Sequence, residues 1–335
     1  MKIDKNYTIG LGIESTAHTF SASVVDSTPK VLSDVRRIYN PPLGSGIHPR
    51  EASHHHSVVA ADVVDEALRR AGCKIQDMDF VAFSAGPGLG PCLRVGAVVA
   101  RTLASYYDLP LVAVNHAIGH IELGAMLTGA SQPVVLLVSG GHTLIATFSS
   151  RRWRIFGETL DLTVGQLIDQ LGREVGLSSP SGRKLEELAS KSSTYIELPY
   201  TVKGNDVSFS GMLTAAKKLL RSKKKVEDIA YSLQETAFGM LAEVCERAVA
   251  FSEANEFLLT GGVAANKRLQ EMLKHVCERQ GAKFYVIDSA FSGDCGAQIA
   301  WAGLLGFLSN QTIDVEKSGI RQAWRIDQGD VPWRG

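Results

Sequence analysis

The chain has 335 residues, 45% of them hydrophobic and 21% charged, and its 35 basic side chains are balanced by 35 acidic ones. That length accommodates two domains of ordinary size, the composition excludes a disordered chain, and zero net charge excludes a global pull toward nucleic acid or an anionic membrane. The five cysteines, Cys73, Cys92, Cys245, Cys277 and Cys295, fall at no CxxC spacing and no secretory signal leads them. Reduced thiols in a cytoplasm are therefore expected, and no apolar run is long enough to span a bilayer.

From the N-terminus, Thr8 to Ile13 reads as an apolar strand, Glu14 to His18 as a small polar turn, and Thr19 to Val25 as an alternating strand. Together they predict a hairpin with a Ser/Thr-rich tip. A helix is expected around Ser53 to Ala71 and a buried strand at Phe80 to Ser84. The turn Gly86-Pro87-Gly88-Leu89-Gly90-Pro91 follows, then a helix from Leu93 to Tyr107 and a strand at Leu111 to Val114. The glycine-rich turn lacks the Lys-Ser/Thr ending of a phosphate-binding P-loop, so it reads as a strand-to-helix turn.

Pro133 to Phe148 repeats the opening plan: strand Val134 to Val138, tip Ser139-Gly140-Gly141-His142-Thr143, strand Leu144 to Phe148. This is the strongest internal similarity in the chain. Glycines admit close approach of backbone N–H groups to a phosphate, and hydroxyls add donors, so the two tips suggest phosphate-holding loops facing one cleft. Further on, helix Leu233 to Ser252 feeds strand Glu256 to Thr260, and Gly261 to Asn266 turns into helix Lys267 to Gln280. A strand at Lys283 to Ile287, a loop holding Asp294 and a helix near Ala297 to Leu308 complete the pattern. A glycine pair between strand and helix N-terminus favours anions. Joined to the two hairpins, it predicts an α/β fold of the actin/Hsp70/sugar-kinase (ASKHA) type, two duplicated α/β lobes with a nucleotide cleft between them. The lobes are expected at residues 1–130, with the C-terminal helix packing back on the first, and 131–335, with a helical insertion around 160–230.

His116-Ala117-Ile118-Gly119-His120 sets two imidazoles four residues apart. On a helix they share one face, as a metal site requires, although spacing alone leaves a structural role equally open. Zinc proteases of the HExxH pattern carry their general base as Glu at the second position, where this chain has Ala117, so the pair lacks the residue that would activate water. His54, His55 and His56 point about 100° apart around a helix and cannot face one ion together; solvent or a partner surface is expected for them. His18 and His142 sit on the two tips. The run Lys217 to Lys225 is the one dense basic stretch; such runs are mostly solvated helix faces, yet it is the best local candidate for touching RNA backbone.

Taken with GIESTAHTFSASVVD, HPREASHHH, AGPGLGPCLRVGA, VNHAIGHIELG, VSGGHT, GETLDLTVG, LPYTVKGNDVSFSG, SLQETAF, GGVAANKRLQEM, GDCGAQIAWAG and VPWR, the chain closely resembles the universal tRNA threonylcarbamoyltransferase family. This family was once described as O-sialoglycoprotein endopeptidases, and the likeness is to its archaeal and eukaryotic branch. The matching segments run from about Thr8 to Arg334. The resemblance implies transfer of a threonylcarbamoyl group from threonylcarbamoyl-adenylate to N6 of the adenosine at position 37 in tRNAs that read ANN codons, with release of AMP.

It also implies site residues. His116, His120 and Asp294 fall on the family's ligands for one divalent metal, Fe(2+) or Zn(2+) with Mg(2+) an alternative. Leu137, Val138, Ser139, Gly140 and Gly141 fall on the phosphate and carbamoyl region, and Asp169, Gly182, Glu186 and Asn266 on positions that hold the adenylate and its ribose. The implied partners are tRNA and the other subunits of the KEOPS assembly: an atypical kinase/ATPase, a small dimerising subunit on the N-terminal lobe, and a further small protein. Some archaeal relatives carry the kinase fused after the segment equivalent to Val331 to Arg334. Three positions depart from the pattern. Leu137 stands where these relatives usually have a tyrosine able to reach the metal, Cys295 where they have Asn, and His142 where the second tip usually has Asn. Rival readings are an ATP-binding scaffold inert by itself and a metalloprotease, the latter opposed by Ala117.

Overall fold

Six consecutive residues of strand β1 (Ile9–Glu14) are all buried, as are all eight of β2 (Thr19–Asp26). Such uninterrupted burial requires a sheet covered on both faces. The computed structural model, which describes residues 7–334, supplies those covers. After β3 (Lys30–Ile38) come α1 (Pro49–Arg70), β4 (Phe80–Gly86), α2 (Gly90–Tyr107), β5 (Leu111–Asn115) and α3 (His116–Thr128). The five strands form one sheet in the order β3-β2-β1-β4-β5, antiparallel across β3, β2 and β1 and parallel from β1 through β4 to β5.

The plan then repeats. Strands β6 (Val134–Val138), β7 (Thr143–Ser149) and β8 (Arg152–Glu158) form an antiparallel meander. Helices α4 (Val164–Glu174) and α5 (Gly182–Ala189) and the two-stranded β9 (Val202–Lys203) and β10 (Asp206–Val207) follow. Next come α6 (Ser210–Arg221), α7 (Val226–Ser252), β11 (Glu256–Thr260), α8 (Lys267–Gln280), β12 (Lys283–Val286), the short α9 (Ser289–Ser292) and α10 (Gly296–Leu308). The second sheet runs β12-β11-β6-β7-β8, with β11 parallel to both β6 and β12. Its order and strand sense match the first sheet, as the repeated hairpins predict, and the architecture is the two-sheet α/β ASKHA fold.

The edge strands β3 and β8 are absent from the sequence reading. Both are half-exposed and charged, as KVLSDVRRI and RWRIFGE, and present only weak apolar alternation. Helices α1, α2 and α7 begin earlier than predicted; α1 and α2 each open with a proline in the first turn, which helix geometry favours there.

Two close contacts position the site. Helix α10 packs directly on β1, β2 and β4, and it can do so because Gly12 faces Ala300: a Cβ on Gly12 would lie 2.1 Å from the Ala300 backbone nitrogen. Helix α3 packs against α10 on one side and β11 on the other. There Gly119 faces the Gln298 carbonyl, and the Thr260 hydroxyl donates to the His120 carbonyl at 3.3 Å. The histidine-bearing helix is thereby held between the two sheets.

Candidate metal centre and nucleotide cleft

Strand β5 ends at Asn115, whose side-chain oxygen caps α3 by accepting from the N–H groups of Ala117 at 3.0 Å and Ile118 at 3.2 Å. Its amide nitrogen donates to the Trp324 carbonyl at 3.1 Å, tying the cap to the C-terminal segment. The cap starts the helix at His116, so His116 and His120 stack one turn apart with ring centroids 4.7 Å apart and planes nearly perpendicular. Asp294, just ahead of α10, meets both: its Oδ1 is 3.2 Å from His120 Nε2 and 3.5 Å from His116 Nε2. The ligand atoms of the three residues lie within 4.8 Å of one another, a group able to hold a metal ion.

A fourth group, absent from the sequence reading, completes the arrangement. Glu14 closes β1 fully buried, and its Oε2 accepts from His116 Nδ1 at 3.0 Å. Its Oε1 accepts from Thr16 N at 2.6 Å and Thr16 Oγ1 at 2.5 Å, and the Gln298 amide lies 2.9 Å from the same His116 nitrogen. Carboxylate to imidazole to ligand position is the usual way a metal-binding histidine is oriented. The one sequence signal for Glu14 is a carboxylate ending an otherwise apolar strand.

The electrostatics fit a cation. Burial opposes charge on His116, but the Glu14 and Asp294 carboxylates outweigh it and push the His116 pKa up to about 10. Burial would raise Asp294, yet the two imidazoles hold it well below the carboxylate range. His120 is pushed down by burial and by its neighbour His116. The two carboxylates flanking His116 thus favour positive charge between them, which the proton on His116 supplies here and which a divalent ion would supply in its place. Buried His120 Nδ1 has no hydrogen-bond partner.

His142 stacks on His116 with centroids 5.9 Å apart. Burial and then repulsion by His116 and His120 push its pKa down to about 3, so the ring is neutral. It belongs to the tip of the second hairpin, which is internally bonded: Ser139 Oγ accepts from Gly141 N at 3.1 Å and His142 N at 3.0 Å. The Gly141 N–H thus points inward to Ser139 in the tip as it stands. The tip abuts the start of α4, where Thr163 Oγ1 donates to the Gly140 carbonyl and Gly165 makes room for Ser139.

Gly182, Glu186 and Asn266 line one small pocket together with Gln234 and Phe238. Glu186 accepts from Lys267 N at 2.7 Å, and Asn266 caps α8 by accepting from Leu269 N at 3.1 Å. Asp169 stands behind it, accepting from Ser181 N at 2.7 Å and Ser181 Oγ at 2.9 Å. Leu137 and Val138 do not join these residues. Both side chains are fully buried on opposite faces of β6, Leu137 among Ala117, Ile121 and Leu258 and Val138 among Val164, Leu167 and Phe238. Their side chains are committed to the core, so what they can offer a ligand is their backbone.

The histidine run is also corrected. His56 is fully buried, its Nε2 3.1 Å from the Ala17 carbonyl and its ring 5.6 Å from that of Phe20. It locks α1 onto the first hairpin rather than facing solvent. The Gly86 to Pro91 turn contacts protein backbone: Leu89 N donates to the Thr16 carbonyl and Gly88 N to the Gln322 carbonyl. In the basic run, Lys217 pairs with Glu174 at 2.8 Å while Lys223, Lys224 and Lys225 are exposed. Among the described residues no disulfide joins the five cysteines, and Cys295 is buried. Among the described residues no helix is long and apolar enough to cross a membrane.

A two-sheet ASKHA fold with a His-His-Asp group, its imidazoles buried, beside a polar hairpin tip defines a class; comparison with known proteins places the chain within it. Over residues 30–301 it matches the family profile described as TsaD, tRNA N6-adenosine threonylcarbamoyltransferase. It is 49% identical to the tRNA N6-adenosine threonylcarbamoyltransferase of Caldivirga maquilingensis, covering 96% of this chain and 97% of that one. It is also 49% identical to a probable bifunctional tRNA threonylcarbamoyladenosine biosynthesis protein of Methanothermobacter thermautotrophicus, over 96% of this chain but 60% of that longer protein. Among solved structures, HypF from T. kodakarensis shares the fold with a TM-score of 0.64 at 13% identity, over 93% of this chain and 49% of that one. The chain belongs to the tRNA N6-adenosine threonylcarbamoyltransferase family and is a transferase acting in threonylcarbamoyladenosine synthesis.

Proposed function

We propose that this chain transfers the threonylcarbamoyl group of threonylcarbamoyl-adenylate to N6 of adenosine 37 in tRNAs reading ANN codons, releasing AMP, as the catalytic subunit of a KEOPS-type assembly in the cytoplasm. The observation that carries the reading is the junction of the His116, His120 and Asp294 group with the Ser139 to His142 tip through His142 stacked on His116. His116, His120 and Asp294 would hold one divalent ion, and two imidazoles favour Fe(2+) or Zn(2+) over Mg(2+). When bound, such an ion supplies Lewis acidity toward phosphate and carbonyl oxygens.

The remaining work falls to the protein. Glu14 accepts the proton on His116 Nδ1, so that when an ion displaces the Nε2 proton it is Nε2, beside Asp294, that would offer its lone pair. The tip and the start of α4 orient the phosphate, and Gly182, Glu186 and Asn266 hold the adenosine part of the donor. Asp169 and Glu186 each spend one oxygen on a backbone N–H, so their second oxygens are assigned to ribose hydroxyls. In the reaction the acceptor amine attacks the carbamoyl carbon, the bond from that carbon to the phosphate oxygen breaks, and AMP leaves with the electron pair while the amine loses a proton. The free chain has no net charge, in keeping with tRNA affinity shared among subunits.

The test is purified protein with tRNA, synthetic threonylcarbamoyl-adenylate and the accessory subunits, scored for modified adenosine. His116→Ala is expected to lose both bound metal and transfer; unchanged turnover in that variant would overturn the metal-assisted assignment. Cleavage of a glycoprotein by metal-loaded protein would revive the protease reading, which Ala117 opposes.

A further inference from the structure

Ala117 and His142 also line a second cavity, of about 240 Å³, which none of the assigned roles uses. Its walls include Pro87, Leu144, Ile155, Trp324 and Ile326, and Glu158 and Arg325, paired at 3.0 Å, also border it. We propose that this cavity receives the acceptor adenine, everted from the single-stranded anticodon loop, with Trp324 as its stacking partner; the proposal rests on the transferase reading above.

Four observations support one planar base rather than a larger ligand. The volume is below the roughly 300–1,000 Å³ of pockets that hold whole cofactors or drug-sized molecules. The walls are apolar with an aromatic ring, the setting in which enzymes that act on a base hold it after taking it out of the stack. A second aromatic residue, His142, also lines the cavity, and an imidazole can hydrogen-bond the ring nitrogens and amine of a base. The cavity shares Ala117 and His142 with the metal-type group, since Ala117 follows His116 on α3 and the His142 ring lies on that of His116. A base seated there presents its edge toward the group that handles the donor.

The surroundings suit RNA. Arg321 stacks on Trp324 at 4.6 Å and is exposed, and exposed Arg325 lines the cavity, so two guanidinium groups stand by the platform, where the loop phosphates would pass. Ala117 also acquires a reason: its methyl group is part of the wall, and a longer side chain there would occupy the base position.

The experiment uses the full chain with its accessory subunits and an anticodon stem-loop carrying 2-aminopurine at the acceptor position, a base whose emission reports stacking. Three proteins are compared: the parent, Ile155→Trp to fill the cavity from β8, and Trp324→Leu to remove the platform. Metal content and adenylate affinity are measured on each as controls for folding and for the donor site. The parent should change the 2-aminopurine emission on binding, and both variants should abolish that change. Both should also lower kcat/KM for tRNA on the order of tenfold, with metal content and adenylate affinity retained. A parent that binds the stem-loop without altering its emission, or variants that keep parental emission and turnover, would overturn the proposal. Weakened adenylate binding with parental 2-aminopurine emission would assign the cavity to the donor's acyl group instead and overturn it equally. Failure of the transferase reading itself shows differently, as a parent that modifies no tRNA at all.

Discussion

Glu14 Oε2 and His116 Nδ1 lie 3.0 Å apart although 102 residues separate them in the chain. Both are buried, so the pair fixes which imidazole nitrogen carries the proton and which faces Asp294. Replacing Glu14 by Gln keeps the shape but removes the charge. Loss of such an orienting carboxylate typically costs about 10–100-fold in metal affinity. Titration of the metal-free protein with Zn(2+) or Fe(2+) should reproduce that loss with the fold intact by circular dichroism. Parental affinity would show that Glu14 has no orienting role.

Gly12 sets the position of Asp294 from a distance. A methyl group there would overlap the backbone of Ala300, a contact that cannot be relieved by a side-chain rotation. Helix α10 must then lift from β1, carrying Asp294 at its head. Gly12→Ala should destabilise the protein by about 3 kcal/mol, at the upper end of overpacking effects, and lower metal occupancy in parallel. Urea denaturation and metal analysis on the same sample test both effects.

His56 should make stability depend on pH. Burial first, then His55, lowers its pKa from 6.5 to about 4, against the hydrogen bond to Ala17 that works the other way. As pH falls below 6.5 the unfolded chain takes up a proton that the folded chain refuses, so this contribution is complete above 6.5 and disappears toward pH 4. Its size is about 3 kcal/mol. In His56→Gln the urea midpoint should fall less than the parental one between pH 7 and pH 4.5; parallel curves would contradict the assignment.

Asp161 behaves in the opposite chemical sense with the same direction on the pH axis. Burial would raise its pKa, but Ser208 and Ser210 hydroxyls and the N–H groups of Phe209 and Leu162 hold it well below the carboxylate range. Those donors, at 2.5 to 2.8 Å, pin the start of α6 to the β8–α4 loop. The stability it adds is present above the ordinary carboxylate pKa, about 4, and is lost as pH falls through its depressed folded value. Asp161→Ala should cost about 2 kcal/mol at pH 7, with the gap to the parent closing in acid.

The amino-acid sequence by itself determined what short-range periodicity can carry. The apolar strands, the two polar-tipped hairpins and the four-residue spacing of His116 and His120 are properties of neighbours along the chain, and the repeated plan of the two hairpins implied the two-sheet fold. The third strand of each sheet escaped because Lys30–Ile38 and Arg152–Glu158 lie at exposed edges with charges on both faces. Similarly, the helical spacing of His54, His55 and His56 could not reveal that His56 is buried beneath the first hairpin. Which of these residues meet in space was decided only by the tertiary structure. Asp294 reaches His120 across 174 residues because α10 returns to the first sheet through the gap left by Gly12. The same packing brings Glu14 to His116, buries the Leu137 side chain and stacks His142 on His116. Such contacts depend on which faces of distant elements meet, and no local pattern of residues encodes that.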